Sequence, residues 1–143
     1  MAAITTAGTV ISASASLPAT YDLAGFAALS YTAVGEITEI GEYGKEYNIV
    51  THTPLATRRT QKLKGSYNEG SLALQMAYDS ADSGQTILIA ALDSDAPISF
   101  KITDQDGTVD YFTGKVMSYR KNIGGVDSIR SASTAIEIDS NIV

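Results

Sequence analysis

Apolar and polar residues alternate along most of this chain, as they do in β-strands that bury one face. In the stretch EGSLALQMAY every second residue is apolar, at Leu72, Leu74, Met76 and Tyr78. The stretches PISFKIT and SASTAIEID repeat the pattern, and a short strand is predicted near residues 9–15. The sequence therefore predicts antiparallel sheets with one buried face and one face open to solvent or to a partner.

One segment, DSADSGQTILIAALDSD, departs from this alternation. Its apolar stripe follows helical spacing and comprises Gly84, Ile87, Leu88, Ala91 and Leu92. Asp79 or Ser80 can cap the first turn, and Asp82 suits the positive end of the helix dipole. These features predict one helix, from about Ser80 to Leu92, that lies across a sheet.

The acidic stretch KITDQDGTVDYFTGKV is better explained as a hairpin than as a calcium loop. A helix-loop-helix calcium site that began at Asp104 would need glycine at its sixth position and a carboxylate at its twelfth. Val109 and Lys115 occupy those positions. Asp106 and Gly107 lie between two alternating apolar runs and predict a tight turn, because glycine tolerates a positive φ.

The same alternation suggests a register for this hairpin. Placing the apolar residues of both strands on one face pairs Ile102 with Phe112 and Phe100 with Gly114. That pairing needs a loop of odd length, such as Asp106–Thr108, and hence a β-bulge.

Composition narrows the range of functions. The 143 residues include no cysteine and one histidine, His52, and the net charge is −6. There is thus no disulfide, no thiolate nucleophile and no histidine pair for a metal or a relay. The acidic balance argues against ordinary nucleic-acid binding, and no phosphate-binding loop or nucleophile elbow occurs. We expect a protein that is not an enzyme and has no cofactor and no metal.

Length and hydropathy indicate one domain over residues 1–143, with a small-residue N-terminal arm at residues 1–8. No apolar run approaches the roughly 20 residues that span a bilayer, so no membrane partner is expected.

The segment YGKEYNIVTHTPLATRRTQKLK, residues 43–64, is polar on both faces. It holds half of the ten basic residues of the chain: Lys45, Arg58, Arg59, Lys62 and Lys64. One interpretation is a mobile, solvated hairpin. The other is an extended inter-subunit loop that becomes ordered against the acidic surface of a neighbouring copy.

The order of these features resembles the major tail tube proteins of long-tailed, lambda-like bacteriophages. The resemblance rests on the strand VGEITEIGEYG, the helix DSGQTILIAAL and the hairpin with DGTVDYFTGKVMS, which follow one another along nearly the whole chain. It implies a mainly β fold, in which two packed antiparallel sheets form a sandwich or barrel with one flanking helix.

The resemblance also implies a structural role in the virion tail. Proteins of this family form hexameric rings that stack into a hollow tube, assembled in the cytoplasm of the bacterial host. The tube encloses a tape measure protein, meets tail tip and tail terminator proteins at its ends, and later conducts double-stranded DNA without binding it specifically. Residues 43–64 would then be the arm that becomes ordered when rings stack.

A hexamer of chains at −6 each would carry −36 formal charges, so phosphates would meet like charge and slide. Four carboxylates on non-core faces are candidates for the lumen: Glu36, Glu69, Glu137 and Asp139.

Two alternatives to a tail tube protein stay open. One is a related ring-forming protein, such as a tail terminator or the tube of type VI secretion. The other is a soluble β-sandwich that binds a ligand such as a sugar or calcium.

Overall fold

The computed structural model describes residues 3–143, so Met1 and Ala2 of the predicted N-terminal arm lie outside the described residues. The strands are β1 Val10–Ser14, β2 Thr32–Ala33, β3 Ile37–Ile40, β4 Glu46–His52, β5 Gln61–Asn68, β6 Ser71–Ala77, β7 Ile98–Thr103, β8 Val109–Asn122 and β9 Ser131–Ile138. The helices are α1 Leu23–Ala27 and α2 Ser83–Leu92. Neither helix is long and apolar enough to cross a membrane, within the residues described.

The predicted mainly β fold with two antiparallel sheets is confirmed. The larger sheet has seven strands in the order β2-β1-β7-β8-β9-β6-β3, and the smaller is the hairpin β4–β5. Tyr43, which follows edge strand β3, reaches across the larger sheet and donates a hydrogen bond from its hydroxyl to Asp110 Oδ2 in β8 at 2.5 Å. The core lies between the larger sheet and α2, whereas β4–β5 is exposed along its length.

Alternate residues of the large sheet form the core, as the sequence pattern predicts. Leu72, Leu74 and Met76 of β6 are fully buried. Phe100 of β7 and Phe112 of β8 are also fully buried, and their stacked rings have centroids 5.4 Å apart. Burying each such side chain contributes about 1.5–3 kcal/mol, so these strands hold most of the stabilising contacts.

The β7–β8 hairpin forms in a register two residues away from the expected one. Phe100 pairs with Phe112, where Gly114 was expected, and Ile102 pairs with Asp110, where Phe112 was expected. A slip of two residues keeps every side chain on its face, so alternation alone cannot distinguish the two registers.

The turn of this hairpin consists of the three residues Gln105–Gly107, so the loop is shifted by one residue towards the N-terminus from the expected Asp106–Thr108. The backbone N–H of Gly107 donates to Asp104 O at 3.0 Å, and the N–H of Asp104 donates to Thr108 O at 2.8 Å. Gly107 has φ of 92°. This is a type I turn closed by a bulge with glycine in the left-handed region, so the loop has the expected odd length.

Helix α2 begins three residues later than expected. Its N-cap is Asp82, whose Oδ2 accepts a hydrogen bond from the N–H of Gln85 at 2.9 Å, so neither Asp79 nor Ser80 caps it. Asp79 instead accepts from the N–H of Ala81 in the preceding turn. The buried residues of the helix are Gly84, Gln85, Leu88 and Ala91, which agrees with the apolar stripe except for the glutamine.

A second helix, α1, was not expected, since the sequence indicated a single one. Asp22 caps it by accepting from the N–H of Gly25 at 2.8 Å. Its Phe26 is fully buried and stacks on Tyr111 of β8 at 5.7 Å between centroids. Helix α1 therefore covers part of the sheet face that lies opposite the core.

Candidate assembly surfaces

The rest of that second face is uncovered, and we call it the open face. Its side chains are mostly small or polar and come from β3, β6, β8 and β9: Glu39, Ser71, Ala73, Gln75, Lys115, Arg120, Ser133, Ala135 and Glu137. Within residues 3–143, it presents no aromatic side chain and no deep cleft lined by acids. A flat surface of small and polar side chains is better suited to contact with another macromolecule than to binding a small ligand.

Acidic and basic residues balance on the open face. Lys115 lies directly opposite Glu137 in the β8–β9 ladder, and Arg120 lies opposite Ser133. Glu39 lies on β3 opposite Gln75 of β6. Of the four carboxylates suggested for the lumen, Glu137 is the one that this face carries. The acidic excess of the chain is therefore located elsewhere.

Glu69 is not on the outer face of β6, where the sequence pattern placed it. Gly70 interrupts the chain with φ of 83°, and β6 begins only at Ser71. The Glu69 side chain is 7% exposed and lies 3.8 Å from Lys45 Nζ. Within residues 3–143, Glu69 Oε1 has no hydrogen-bond partner. The sequence pattern extended strand β6 two residues too far, to Glu69, because alternation of apolar and polar residues does not show that Gly70 breaks the strand.

Asp139 lies just beyond β9 and shares an open groove of about 540 Å³ with Glu69, at the base of the β4–β5 hairpin. Its Oδ1 accepts a hydrogen bond from Thr113 Oγ1 at 2.8 Å. The groove is also lined by Tyr21 and Tyr67. The structure thus brings together two of the four suggested carboxylates, at a place that the sequence did not indicate.

Glu36 precedes β3 and has φ of 62°, in the left-handed region. Its carbonyl accepts from the N–H of Ala77 at 2.8 Å, while the residue itself is exposed. The register of β3 shifts between Ile37 and Glu39. Strict alternation of faces therefore does not extend from Glu36 to Glu39.

The hairpin β4–β5, which we call the arm, is antiparallel and extends four residues beyond Lys64, to Asn68. Every residue of β4 is exposed. Tyr47 and Tyr67 are paired across the two strands with ring centroids 5.3 Å apart. The segment interpreted from sequence as a solvated hairpin or an inter-subunit loop is thus a strand pair with a register shift between Tyr47 and Ile49 and with no core of its own.

The five basic arm residues divide between its base and its tip. Lys45 lies at the base, with Nζ 4.4 Å from the centroid of Tyr67, and Lys64 Nζ lies 4.8 Å from that of Tyr47. Lys62 pairs with Thr51 towards the tip. Arg58 and Arg59 lie in the loop between the strands.

The tip loop is held by one backbone hydrogen bond, from the N–H of Arg58 to Pro54 O at 3.1 Å, and Arg58 has φ of 58°. An arginine in the left-handed region costs free energy relative to the usual backbone regions.

The arm also exposes apolar side chains that the sequence analysis did not single out. Ile49 is 71% exposed, Leu55 98% and Leu63 57%. Isolated exposed apolar residues are ordinary, but several on one protruding hairpin mark a contact surface. The occurrence of these apolar residues in a segment rich in charge was the signal in the sequence that could have indicated a contact surface.

The acidic β7–β8 turn is a structural feature. Asp106 Oδ1 accepts from the N–H of Thr108 at 3.0 Å, which lowers the Asp106 pKa. Among residues 3–143 no group of three or more acidic or histidine side chains could hold a metal ion.

Burial is the main cause of the raised pKa of Tyr43, and its hydrogen bond to Asp110 adds to it. Burial also raises the pKa of Tyr31 to about 12.

Solved structures with a similar fold come from a phage tail tube, a gene transfer agent virion and a contractile injection system. The SPP1 tail tube aligns with a TM-score of 0.63 at 14% identity, over 91% of this chain and 72% of that one. The virion of a native gene transfer agent aligns at 0.70 and 12%, over 98% and 97%. An extracellular contractile injection system, its sheath/tube terminator in the extended state, aligns at 0.66 and 9%, over 99% and 95%.

The sequence itself matches a family. Residues 22–140 match the model of the lambda phage tail tube protein family. The chain therefore belongs to this family of structural tail proteins. No curated protein sequence matches the chain. Family membership supports a structural role in the virion tail and assembly from copies of one chain.

Proposed function

We propose that this chain forms hexameric rings that stack into the hollow tail tube of a long-tailed phage, and that the tube conducts double-stranded DNA during ejection. The observation that carries the proposal is the family match over residues 22–140. The tape measure protein inside, the tail tip and terminator proteins at the ends, and assembly in the host cytoplasm belong to the same proposal. It assigns no catalysis to the chain.

The exposed arm supports assembly. A two-stranded hairpin is marginally stable in water by itself. An arm with every β4 residue exposed gains stability only when another surface covers it. In the proposed tube a neighbouring copy supplies that surface, and the arm candidates Lys45, Arg58, Arg59, Lys62 and Lys64 contribute to the contact.

The edges of the large sheet support closure into a ring. Its edge strands are β2, with two residues, and β3, with four. Short edges limit uncontrolled pairing with other chains. In a closed ring each copy lies beside the next, so these edges face a fixed neighbour.

The open face suits a lumen through which DNA passes. Small side chains offer bases no stacking platform, and the facing pair Lys115 and Glu137 leaves little net local charge. The acidic excess of the whole ring then repels phosphates at longer range. We retain Glu137 as the lumen carboxylate. Glu36, Glu69 and Asp139 lie outside the open face, so this proposal does not assign them to the lumen.

The test is negative-stain electron microscopy of the concentrated protein, alone and with its own tail tip complex. We expect hollow tubes of stacked rings. We expect the double variant Arg58→Glu/Arg59→Glu to stay unassembled with an unchanged melting temperature, because both side chains are exposed. Normal tubes from this variant would remove the arm from the proposal, and no tubes from the wild type with the tip complex would contradict the tube itself.

A terminator ring is the second candidate, favoured by the likeness to the extended-state injection system with its sheath/tube terminator. Fold alone does not separate the two roles. Rings that form and never lengthen, with or without the tip complex, would favour the terminator.

A further inference from the structure

Three of the basic residues outside the arm lie together at one end of the β8–β9 hairpin. They are Arg120, Lys121 and Arg130, and the segment that they bound holds one carboxylate, Asp127. Three cations against one carboxylate give this segment a formal charge of +2, in a chain whose net charge is −6. The chain is thus acidic as a whole and basic at this end of the hairpin.

A groove of about 360 Å³ opens where this segment meets the open face, and we call it the basic groove. Ser133 of β9 pairs with Arg120 of β8 on one side and with Gln75 of β6 on the other, so these residues form one row across the open face. The long side chains of Arg120 and Gln75 therefore flank a short one. The residues that line the groove include Thr38, Gln75, Arg120, Lys121, Asn122 and Ser133.

The carboxylates of the open face lie away from the basic groove. Glu39 of β3 continues the row beyond Gln75, three strands from Arg120, which corresponds to about 14 Å between backbones. Glu137 lies four residues beyond Ser133 along β9, which corresponds to about 13 Å. Both distances exceed the Debye length of about 10 Å at 0.1 M salt, so both carboxylates are largely screened from Arg120.

Arg120 has no partner within the part of the chain that the structure describes. The one ion pair there joins Lys45 to Glu69, so neither Glu36 nor Asp127 is within ion-pair distance of the arginine. No hydrogen bond engages its guanidinium either. The groove therefore presents a charged donor that is not already used within residues 3–143.

The other two cations of the cluster are held by one aromatic ring. Lys121 Nζ lies 4.4 Å from the centroid of the Tyr78 ring, and Arg130 Cζ lies 5.2 Å from it. Cation–π contacts hold these side chains near the ring and do not neutralise their charge. Arg120 is thus the cation that is free to bind a ligand, with two further positive charges held close by.

We propose that the basic groove binds a phosphate of the DNA backbone, with Arg120 as the principal donor. A guanidinium is always charged and binds phosphate through paired hydrogen bonds. Hydroxyl and amide side chains, such as those of Ser133, Gln75 and Asn122, are common phosphate ligands in protein–DNA contacts. Among the described residues the groove lining includes no aromatic side chain on which a base could stack, so binding is independent of base sequence.

The inference rests on the proposed function, in which the open face lines the lumen. Copies in a closed ring are related by rotation, so the basic grooves of one ring lie at one level of the lumen. Each ring then carries one band of weak phosphate contacts in a tube that is acidic as a whole. The contacts depend on charge, so they weaken as salt rises.

Titration of the unassembled protein with a DNA duplex of about 12 base pairs, slightly more than one helical turn, tests the site. The background is Arg58→Glu/Arg59→Glu, which removes the competing cations of the arm tip. The protein concentration is kept below that at which sedimentation detects tubes. Backbone amide signals of the isotope-labelled protein then report where the duplex binds. We expect the largest shifts at residues 120–122 and 131–133, and largest shifts in any other region overturn the groove.

Two matched variants measure the contribution of the basic groove. Arg120→Gln/Lys121→Gln removes two charges from the groove, and Lys101→Gln/Lys115→Gln removes two charges from elsewhere in the body. We expect the groove variant to weaken duplex binding at least about fivefold and to reduce the salt slope by about one to two, with the control within about twofold of the background. Equal weakening by the two variants contradicts the proposal. Melting temperatures confirm that each variant is folded.

Two other anions distinguish the possible sources of the bound group. The duplex should bind at least about tenfold more tightly than inorganic phosphate, because its backbone releases condensed counterions. Equal affinity would indicate a site for free phosphate, and a preference for a poly-glutamate peptide would indicate a carboxylate-bearing protein. Either result rejects the DNA backbone as the ligand.

The groove and the tube fail in different ways. Wild-type tubes from a chain whose groove does not bind the duplex would overturn the groove and leave the tube intact. Absence of tubes from the wild type with its tip complex would count against the proposed function itself.

Discussion

The large sheet and the arm are both antiparallel β-structure, yet they differ in what holds them. Phe100, Phe112 and Leu74 in the sheet are fully buried, while Ile49 of the arm is 71% exposed. The sheet makes its contacts within the chain. The arm has its ladder, two lysine–tyrosine contacts and one tyrosine pair. Secondary structure alone therefore says little about where stability resides.

The difference in burial suggests that the sheet and the arm have different functions. Residues of the sheet and α2 hold the buried contacts of the folded chain, and in the proposed tube residues of the arm contribute to the contacts between copies. Substitutions should accordingly separate into those that lower the free energy of unfolding and those that leave it unchanged and alter assembly.

The largest expected difference is between two truncations. Phe112→Ala removes a fully buried ring that stacks on Phe100, and we expect it to lower the free energy of unfolding by about 3–5 kcal/mol. Ile49→Ala in the arm should change it by less than about 0.5 kcal/mol. Denaturant unfolding of the unassembled protein measures both. Equal losses would mean that the arm packs against the body, contrary to the exposure of Ile49.

An intermediate difference is expected between two glycines. A Cβ at Gly84 in α2 would meet the backbone of β2 and the next residue, Ala33 O and Val34 Cα, the latter at 2.5 Å. Gly84→Ala should therefore cost about 1–3 kcal/mol, although the same change in an exposed helix stabilises by about 0.5–1 kcal/mol. Gly65→Ala in the arm would meet Val50 Cγ2 at 2.8 Å and Asn48 O at 3.3 Å, both on the exposed strand β4, which no core holds in place, so we expect a smaller loss.

Thermal melting of the two alanine variants provides the measurement. A fall in melting temperature for Gly84→Ala with little change for Gly65→Ala would support the division. A rise for Gly84→Ala would show that α2 can move away from β2 at little cost.

The smallest effect concerns alkaline pH. Burial raises the pKa of Tyr31 to about 12, above its ordinary value near 10. Because the folded state favours the protonated phenol, this stabilisation is complete below about pH 10 and is lost as pH rises through about 12. Tyr43 acts in the same direction, since burial raises its pKa as well.

Melting temperatures followed upwards from about pH 9 test this expectation. The loss of stability should be smaller in Tyr31→Phe and Tyr43→Phe than in the wild type. The variant Arg58→Glu/Arg59→Glu should follow the wild-type profile, since its changes lie at the arm tip. Identical profiles for the tyrosine variants and the wild type would show that other groups control alkaline unfolding.

Much of the architecture could be predicted because it depends on local patterns. Alternation identified the buried residues of β6 and β7, and helical spacing identified the buried stripe of α2. The short helix α1 was missed although Asp22 could have indicated it as a cap. The buried Gln85 was missed too. Its side chain donates to Gly35 O and Ala77 O and accepts from the Asp79 N–H and the Tyr119 hydroxyl, partners that only the fold assembles.

The candidate surfaces were less predictable. The sequence by itself determined the long strands of the large sheet, helix α2, the odd-length hairpin turn and the basic character of the arm, because each depends on residues close along the chain. Only the tertiary structure decided the β7–β8 register, the burial of Glu69 and the meeting of Glu69 with Asp139 at the arm base. The physical reason is that a period of two fixes which face a side chain takes, while the position of strands relative to one another depends on packing among residues far apart in sequence.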